Sequence, residues 1–138
     1  MTKEGSGRAI ALDALTAIEE QGAYANRILN SLFTQRQAEA QEKRLATELV
    51  FGTLRQFNLL DYLLNRLLSK ELSALPPTVR GVLRLSLYQL IFTTHPAYAV
   101  VNEAVDLIKH SKYRGLSRLV NGVLRNYLRR QQETDLAW

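Results

Sequence analysis

Arg118, Arg125 and Arg129 are the residues of this chain best spaced for chemistry on an outside partner. At about 100° per residue of α-helix they fall within about 40° of one another. Arg114 joins the same line if the helix begins early enough, and Gly122 takes the one slot of the row without a charge. From Lys109 to Arg130 there are seven Lys/Arg residues (Lys109, Lys112, Arg114, Arg118, Arg125, Arg129 and Arg130) and no acidic residue. A guanidinium is always charged, and its forked donors match phosphate geometry. A line of them along an exposed helix can contact successive phosphates of a nucleic acid. The alternative is a solvated face whose cations balance the negative C-terminal end of the helix dipole. Lys109, Lys112, Arg114, Arg118, Arg125 and Arg129 are the candidate set for nucleic acid in this stretch.

Other polar residues stand inside apolar patterns. Asn102-Glu103 and Asn121-Gly122 interrupt two such helices. An asparagine there can bond a backbone group of a neighbouring helix and fix its register, which is the first reading; contact with RNA or a protein is the second. Arg80 and Arg84, one turn apart, interrupt a third. They either pair with a carboxylate such as Glu103 or Glu48, the favoured reading, or extend the basic surface. His95, before Pro96, reads as a loop or helix-end residue, and His110 as an exposed last-turn residue.

The element that organises the rest is Pro76 to Phe92. Two prolines suit its first turn, where the N–H groups lack partners anyway. Val79, Leu83, Leu87 and Leu90 form one apolar face, and Leu85, Tyr88 and Phe92 another. A helix apolar on more than one side is buried on more than one side. Before it, the periodicity predicts helices over Ala9–Glu20, ended by Gly22 and capped by Ser6, and over Tyr24–Phe33, Glu42–Arg55 and Leu59–Ser69. The polar run Thr34–Gln41 reads in its first part as a loop, and Gly52 implies close packing inside the third helix. After the central helix come Tyr98–His110 and a last helix from near Gly115 to about Arg130, with Leu116, Leu119, Val120, Val123, Leu124, Tyr127 and Leu128 inward. About seven helices with short connections make an all-α bundle. Residues 1–7 are expected to be a flexible N-terminus, 8–130 the helical domain, and 131–138 a tail or linker.

Composition removes whole classes of function. The chain of 138 residues has no cysteine and two histidines. That excludes a disulfide scaffold, a thiolate metal site and a cysteine nucleophile, and leaves no convincing metal centre. No apolar run reaches bilayer length and the N-terminus lacks a signal-peptide core, so no membrane is expected and the cytoplasm is the default location. Glycine-rich nucleotide loops and the nucleophile-elbow motif are absent, so no enzyme activity is expected of this chain. The net charge of +5 favours an acidic partner.

Three stretches carry a resemblance. They are Arg8–Leu15 continuing to Gly22-Ala23-Tyr24-Ala25-Asn26; Leu45–Arg55; and the central helix with Val100–Val105 and Leu119–Arg125. Together, over about residues 8–130, the chain resembles the NusB-like domain that opens bacterial small-subunit ribosomal RNA (cytosine-5)-methyltransferases of the RsmB type. The antitermination factor NusB is the stand-alone relative. The resemblance implies an all-α fold of about seven helices in two subdomains. It implies RNA binding, with ribosomal small-subunit RNA as partner, and no catalysis in this chain. S-adenosylmethionine and a cysteine nucleophile belong, by the same implication, to a Rossmann-like methyltransferase domain covalently linked beyond 131–138. The alternatives are a protein-interaction domain docking on that catalytic domain or on a ribosomal protein, and a stand-alone antitermination factor. NusB carries an arginine-rich N-terminus implicated in RNA contact; at the matching place this chain has only Arg8, flanked by Lys3, so the resemblance adds Arg8 to the RNA-binding candidates while the departure weakens transfer of the NusB RNA site and of its ribosomal-protein partner.

Overall fold

The computed structural model describes residues 3–134. Among them seven α-helices follow one another: α1 Gly7–Gln21, α2 Ala25–Arg36, α3 Ala40–Arg55, α4 Phe57–Leu67, α5 Pro77–Phe92, α6 Ala97–Lys109 and α7 Ser117–Thr134. Short 3₁₀ turns lie at Lys3–Gly5, Leu72–Ala74 and Arg114–Leu116. No strand occurs among the described residues, so the all-α reading holds. None of these helices is long and apolar enough to cross a membrane. The chain forms two compact units, one up to Phe57 and one from Asn58 on.

In the first unit α1 packs on α3 and α2, and α2 packs on α3. Ile10, Ala11, Ala14, Leu29, Ala46, Leu49 and Val50 are buried. Ser6 caps α1, its hydroxyl accepting the Ala9 N–H at 3.1 Å. Gly22 ends α1 at φ 67°, a left-handed conformation that a side chain would strain. Within the N-terminal stretch, residues 3–7 have defined local structure. Lys3–Gly5 forms a turn against α1 and α2, and the Gly7 N–H donates to Glu42 Oε1 at 2.7 Å. Glu42 is buried in the first turn of α3, so one carboxylate serves the N-terminal ends of two helices.

The polar run from Thr34 is a correction. Helix α2 continues to Arg36 and α3 begins at Ala40, leaving only 37–39 between them. Arg36 reaches Asp13 and donates to the Glu4 carbonyl at 3.0 Å, ties to the turn and to α1 that hydrophobic periodicity cannot register. Gln37 closes α2 at φ 52°, where glycine or asparagine is the usual signal.

In the second unit α5 packs on α6 and α7, and α6 on α7. Every residue from Gly81 to Gln89 is buried, as expected for a helix apolar on more than one side. Phe92, assigned to a buried face, is instead 41% exposed, because it falls in the last turn as the chain leaves the core. Leu59 is likewise exposed, outside the buried stripe of Leu60 and Leu64. Arg84 pairs with a carboxylate, as the favoured reading has it, and the carboxylate is one that the sequence did not single out. Arg84 lies 6% exposed and forks onto Asp61 of α4, with Nε to Oδ1 at 2.7 Å and Nη2 to Oδ2 at 3.1 Å. Arg80 donates to the carbonyls of Leu75 and Ser73 in the connector before α5. Helix α7 runs past Arg130 to Thr134 rather than stopping there. The rest of the expected linker, 135–138, and residues 1–2 lie outside the described residues.

Two outcomes follow for stability. A Cβ on Gly7 would stand 2.9 Å from the Cβ, Cγ and Cδ2 of Leu45. Gly7→Ala is therefore expected to destabilise the chain by roughly 1–3 kcal/mol in urea unfolding, despite alanine's better helix propensity. Asp61→Ala takes the carboxylate from a buried guanidinium and is expected to cost about 2–4 kcal/mol, somewhat below the range for a fully buried pair, because Asp61 is partly exposed. Adding Arg84→Met to that variant should recover most of the loss; a double variant no more stable than Asp61→Ala would show that the pair is not the cause.

Candidate nucleic-acid interface

Helix α7 separates into two sides. Val120, Val123, Leu124 and Tyr127 are buried, while Leu116, Leu119 and Leu128 are half-buried at the margins. Burial pushes the Tyr127 phenol above its ordinary pKa, so it stays neutral on this side. Arg118, Arg125 and Arg129 are exposed on the other side, over a length of about 16 Å. Lys109, at the end of α6, and Lys112 and Arg114, in the connector, are exposed too. Arg114 belongs to the 3₁₀ turn before α7, so it precedes the row instead of continuing its helical register. The ammonium of Lys112 stands 5.5 Å from the Tyr113 ring centroid.

The row is held without being neutralised. The Nε–H of Arg125 donates to Asn121 Oδ1 at 3.0 Å, and Nη2 of Arg129 donates to Asn126 Oδ1 at 2.8 Å. Both acceptors are uncharged amides one turn back on the same helix. Among the described residues, no carboxylate forms an ion pair with Arg114, Arg118, Arg125 or Arg129. The bond through Nε leaves both Nη groups of Arg125 facing outward as a fork. A guanidinium held in this way keeps its charge and its free N–H groups for an outside acceptor, and its fork matches phosphate geometry.

The other candidates divide. Arg8 is half-buried and engaged within the chain, at the start of α1 in the first unit. Asn102 and Glu103 are both exposed on α6, which excludes the interhelical role first read for them. Their face also carries Tyr98, 73% exposed. Asn121 does not tie α7 to a neighbour through the bond seen here: it positions Arg125 on its own helix. Arg80 and Arg84 serve the fold, as described above. His110 is exposed just after α6, with Nδ1 2.9 Å from the Asp106 carbonyl oxygen. His95 lies between α5 and α6, its Nδ1 3.1 Å from Oε1 of the buried Gln89. No group of His, Cys, Asp or Glu among the described residues is arranged to hold a metal.

Sequence reasoning missed Asn126, although its i,i+3 spacing to Arg129 was a usable signal. It also missed two surface pairs in which an arginine lies over a tyrosine ring, Arg27 on Tyr24 at 5.4 Å and Arg66 on Tyr62 at 5.7 Å. Their i,i+3 and i,i+4 spacings were equally visible.

Comparison with known proteins agrees with this architecture. The chain is 40% identical over 128 residues to a probable ribosomal RNA small subunit methyltransferase B of Bacillus subtilis, covering 92% of this chain and 28% of that protein. It is 36% identical over 133 residues to ribosomal RNA small subunit methyltransferase B of Shigella flexneri, covering 96% of this chain and 30% of that protein. The chain thus spans under a third of the length of these curated relatives. Among solved structures, NusB of T. maritima superposes with a TM-score of 0.82 at 25% identity over 93% of this chain and 92% of that one. NusB in complex with NusE and double-stranded RNA superposes with a TM-score of 0.83 at 23% identity, covering 92% of this chain and 96% of that one. The NusB family model matches residues 6–129, and with the fold and the relatives in agreement the chain belongs to the NusB family.

Proposed function

We propose that this chain is a non-catalytic RNA-binding module of a small-subunit ribosomal RNA methyltransferase, one that helps to recognise and orient ribosomal RNA. The observation that carries the proposal is the exposed arginine row of α7, in which Arg125 and Arg129 are held by amides and no member is compensated by a carboxylate among the described residues. The methyltransferase relatives at 36–40% identity support the choice of parent. Methyl transfer, S-adenosylmethionine and the cysteine nucleophile belong, in this reading, to a covalently linked domain, and the protein works in the cytoplasm. The antitermination-factor alternative has less support, since the NusB structures named above share only 23–25% identity with the chain.

Mechanistically the chain's part is electrostatic. The fork of Arg125 and the guanidiniums of Arg118 and Arg129 grip successive phosphates, and the lysines and Arg114 before α7 lengthen the track. With about four to six phosphate contacts, log K for a single-stranded RNA should fall with log salt at a slope of about −3 to −4. Replacing Arg118, Arg125 and Arg129 by glutamine should flatten that slope by about two units. Fluorescence titration of a structured small-subunit ribosomal RNA fragment at several salt concentrations provides the check. A flat response in the unaltered chain, or an unchanged slope in the triple variant, refutes the role of the row.

A second reading, docking on another protein, is favoured by one observation. Phe92 and Tyr98, at the end of α5 and the start of α6, are 41% and 73% exposed. In that reading Phe92→Ser with Tyr98→Ser would weaken association with the separately produced catalytic domain at least about tenfold and leave RNA binding intact. Calorimetric titration of the two parts measures it, and equal affinity of variant and unaltered chain would remove the reading.

A further inference from the structure

Some glycines of this chain have their reasons within it. Gly7 sits where a Cβ would collide with Leu45, and Gly22 adopts a left-handed φ. Gly122 has neither reason. It lies inside α7, exposed, in ordinary helical conformation, and a Cβ built on it meets no atom within 4 Å. Glycine is the least favourable residue for a helix interior after proline, so the isolated fold would gain from alanine here.

Its position supplies what the fold does not. At about 100° and 1.5 Å per residue, Gly122 lies in the arginine row, about 6 Å along the axis from Arg118 and about 4–5 Å from Arg125. We propose that the RNA sugar-phosphate backbone is drawn against the main chain of α7 at Gly122, occupying the space that a side chain would fill. The inference rests on the RNA-binding reading above and deepens it by naming the point of closest approach. The backbone N–H of a mid-helix residue is already bonded within the helix, so Gly122 donates nothing. Its contribution is steric. A strand seated on the helix surface brings its phosphates within the forks of Arg118 and Arg125 on either side, where a strand held off by a methyl group would meet them at longer range.

The inference separates stability from binding, and its test uses that. In Gly122→Ala the urea midpoint should rise. Affinity for a uridine oligonucleotide, measured by fluorescence titration at fixed salt, should fall about tenfold, the scale of one charge-assisted contact. Gly122→Gln should lose more. The dependence on salt should stay close to that of the unaltered chain, because no charge has changed. Unaltered affinity in both variants, while Arg118, Arg125 and Arg129 replaced together by glutamate lose binding, would overturn the close approach and leave the arginine row standing. Weakened association with the catalytic domain at unaltered RNA affinity would overturn it too, assigning the open position to a protein contact. If the unaltered chain fails to bind the oligonucleotide, the RNA-binding reading fails and this inference with it.

Discussion

A guanidinium at 6% exposure must have its charge answered inside the protein, and in this chain Asp61 answers Arg84. Taking the guanidinium out of water, with its partner carboxylate only partly shielded, costs several kcal/mol, on the order of what their attraction returns. The pair is therefore better understood as a fastener than as a source of stability. Its two bonds, Nε to Oδ1 and Nη2 to Oδ2, tie α5 to α4 with a directionality that leucine contacts lack. Helix α5 in turn packs on α6 and α7. The helix against which α7 sets its buried side thus also carries the buried guanidinium that Asp61 answers.

The same residue type meets three treatments in this molecule. Arg84 is buried and paired with a carboxylate. Arg36 is tied to Asp13 and to the Glu4 carbonyl, so its charge is consumed in closing the first unit. Arg125 and Arg129 are exposed and tied only to amides. The side chain's chemistry does not separate these cases; the partner does. A carboxylate partner turns an arginine into structure, and an amide partner gives it direction while its charge remains available outside.

Much of this was legible in the sequence because it follows from periodicity. The seven helices, the central place of α5, the cap at Ser6, the stop at Gly22 and the exposed side of α7 all come from local pattern. What escaped depends on contacts far apart in the chain. Arg84 showed that it needed a carboxylate, but Asp61 lies 23 residues away, on the preceding helix. The bond from the Gly7 N–H to Glu42 spans 35 residues. The extension of α2 depends on Asp13 and Glu4. Asn102 differs from its reading for another reason: an apolar helix pattern says where the core side is, and Asn102 lies outside that side, exposed beside Glu103.

The outer side of α7 is poorly composed for stability alone. Arg125 and Arg129 are like charges at i,i+4, an arrangement that destabilises a helix by a few tenths of a kcal/mol. A glutamate at position 121 or 126 would relieve that repulsion and complete an ion pair at a spacing already in use. Asparagine has lower helix propensity than glutamate and cannot neutralise the charge. A glycine in the same row weakens the helix further. Three residues that each weaken the helix thus share the stretch that also carries the longest run of unopposed positive charge. Asparagine keeps the guanidiniums aimed without cancelling them, and glycine keeps the surface between them low. Those two properties add nothing to the fold, and both are what a polyanion lying along the helix would require.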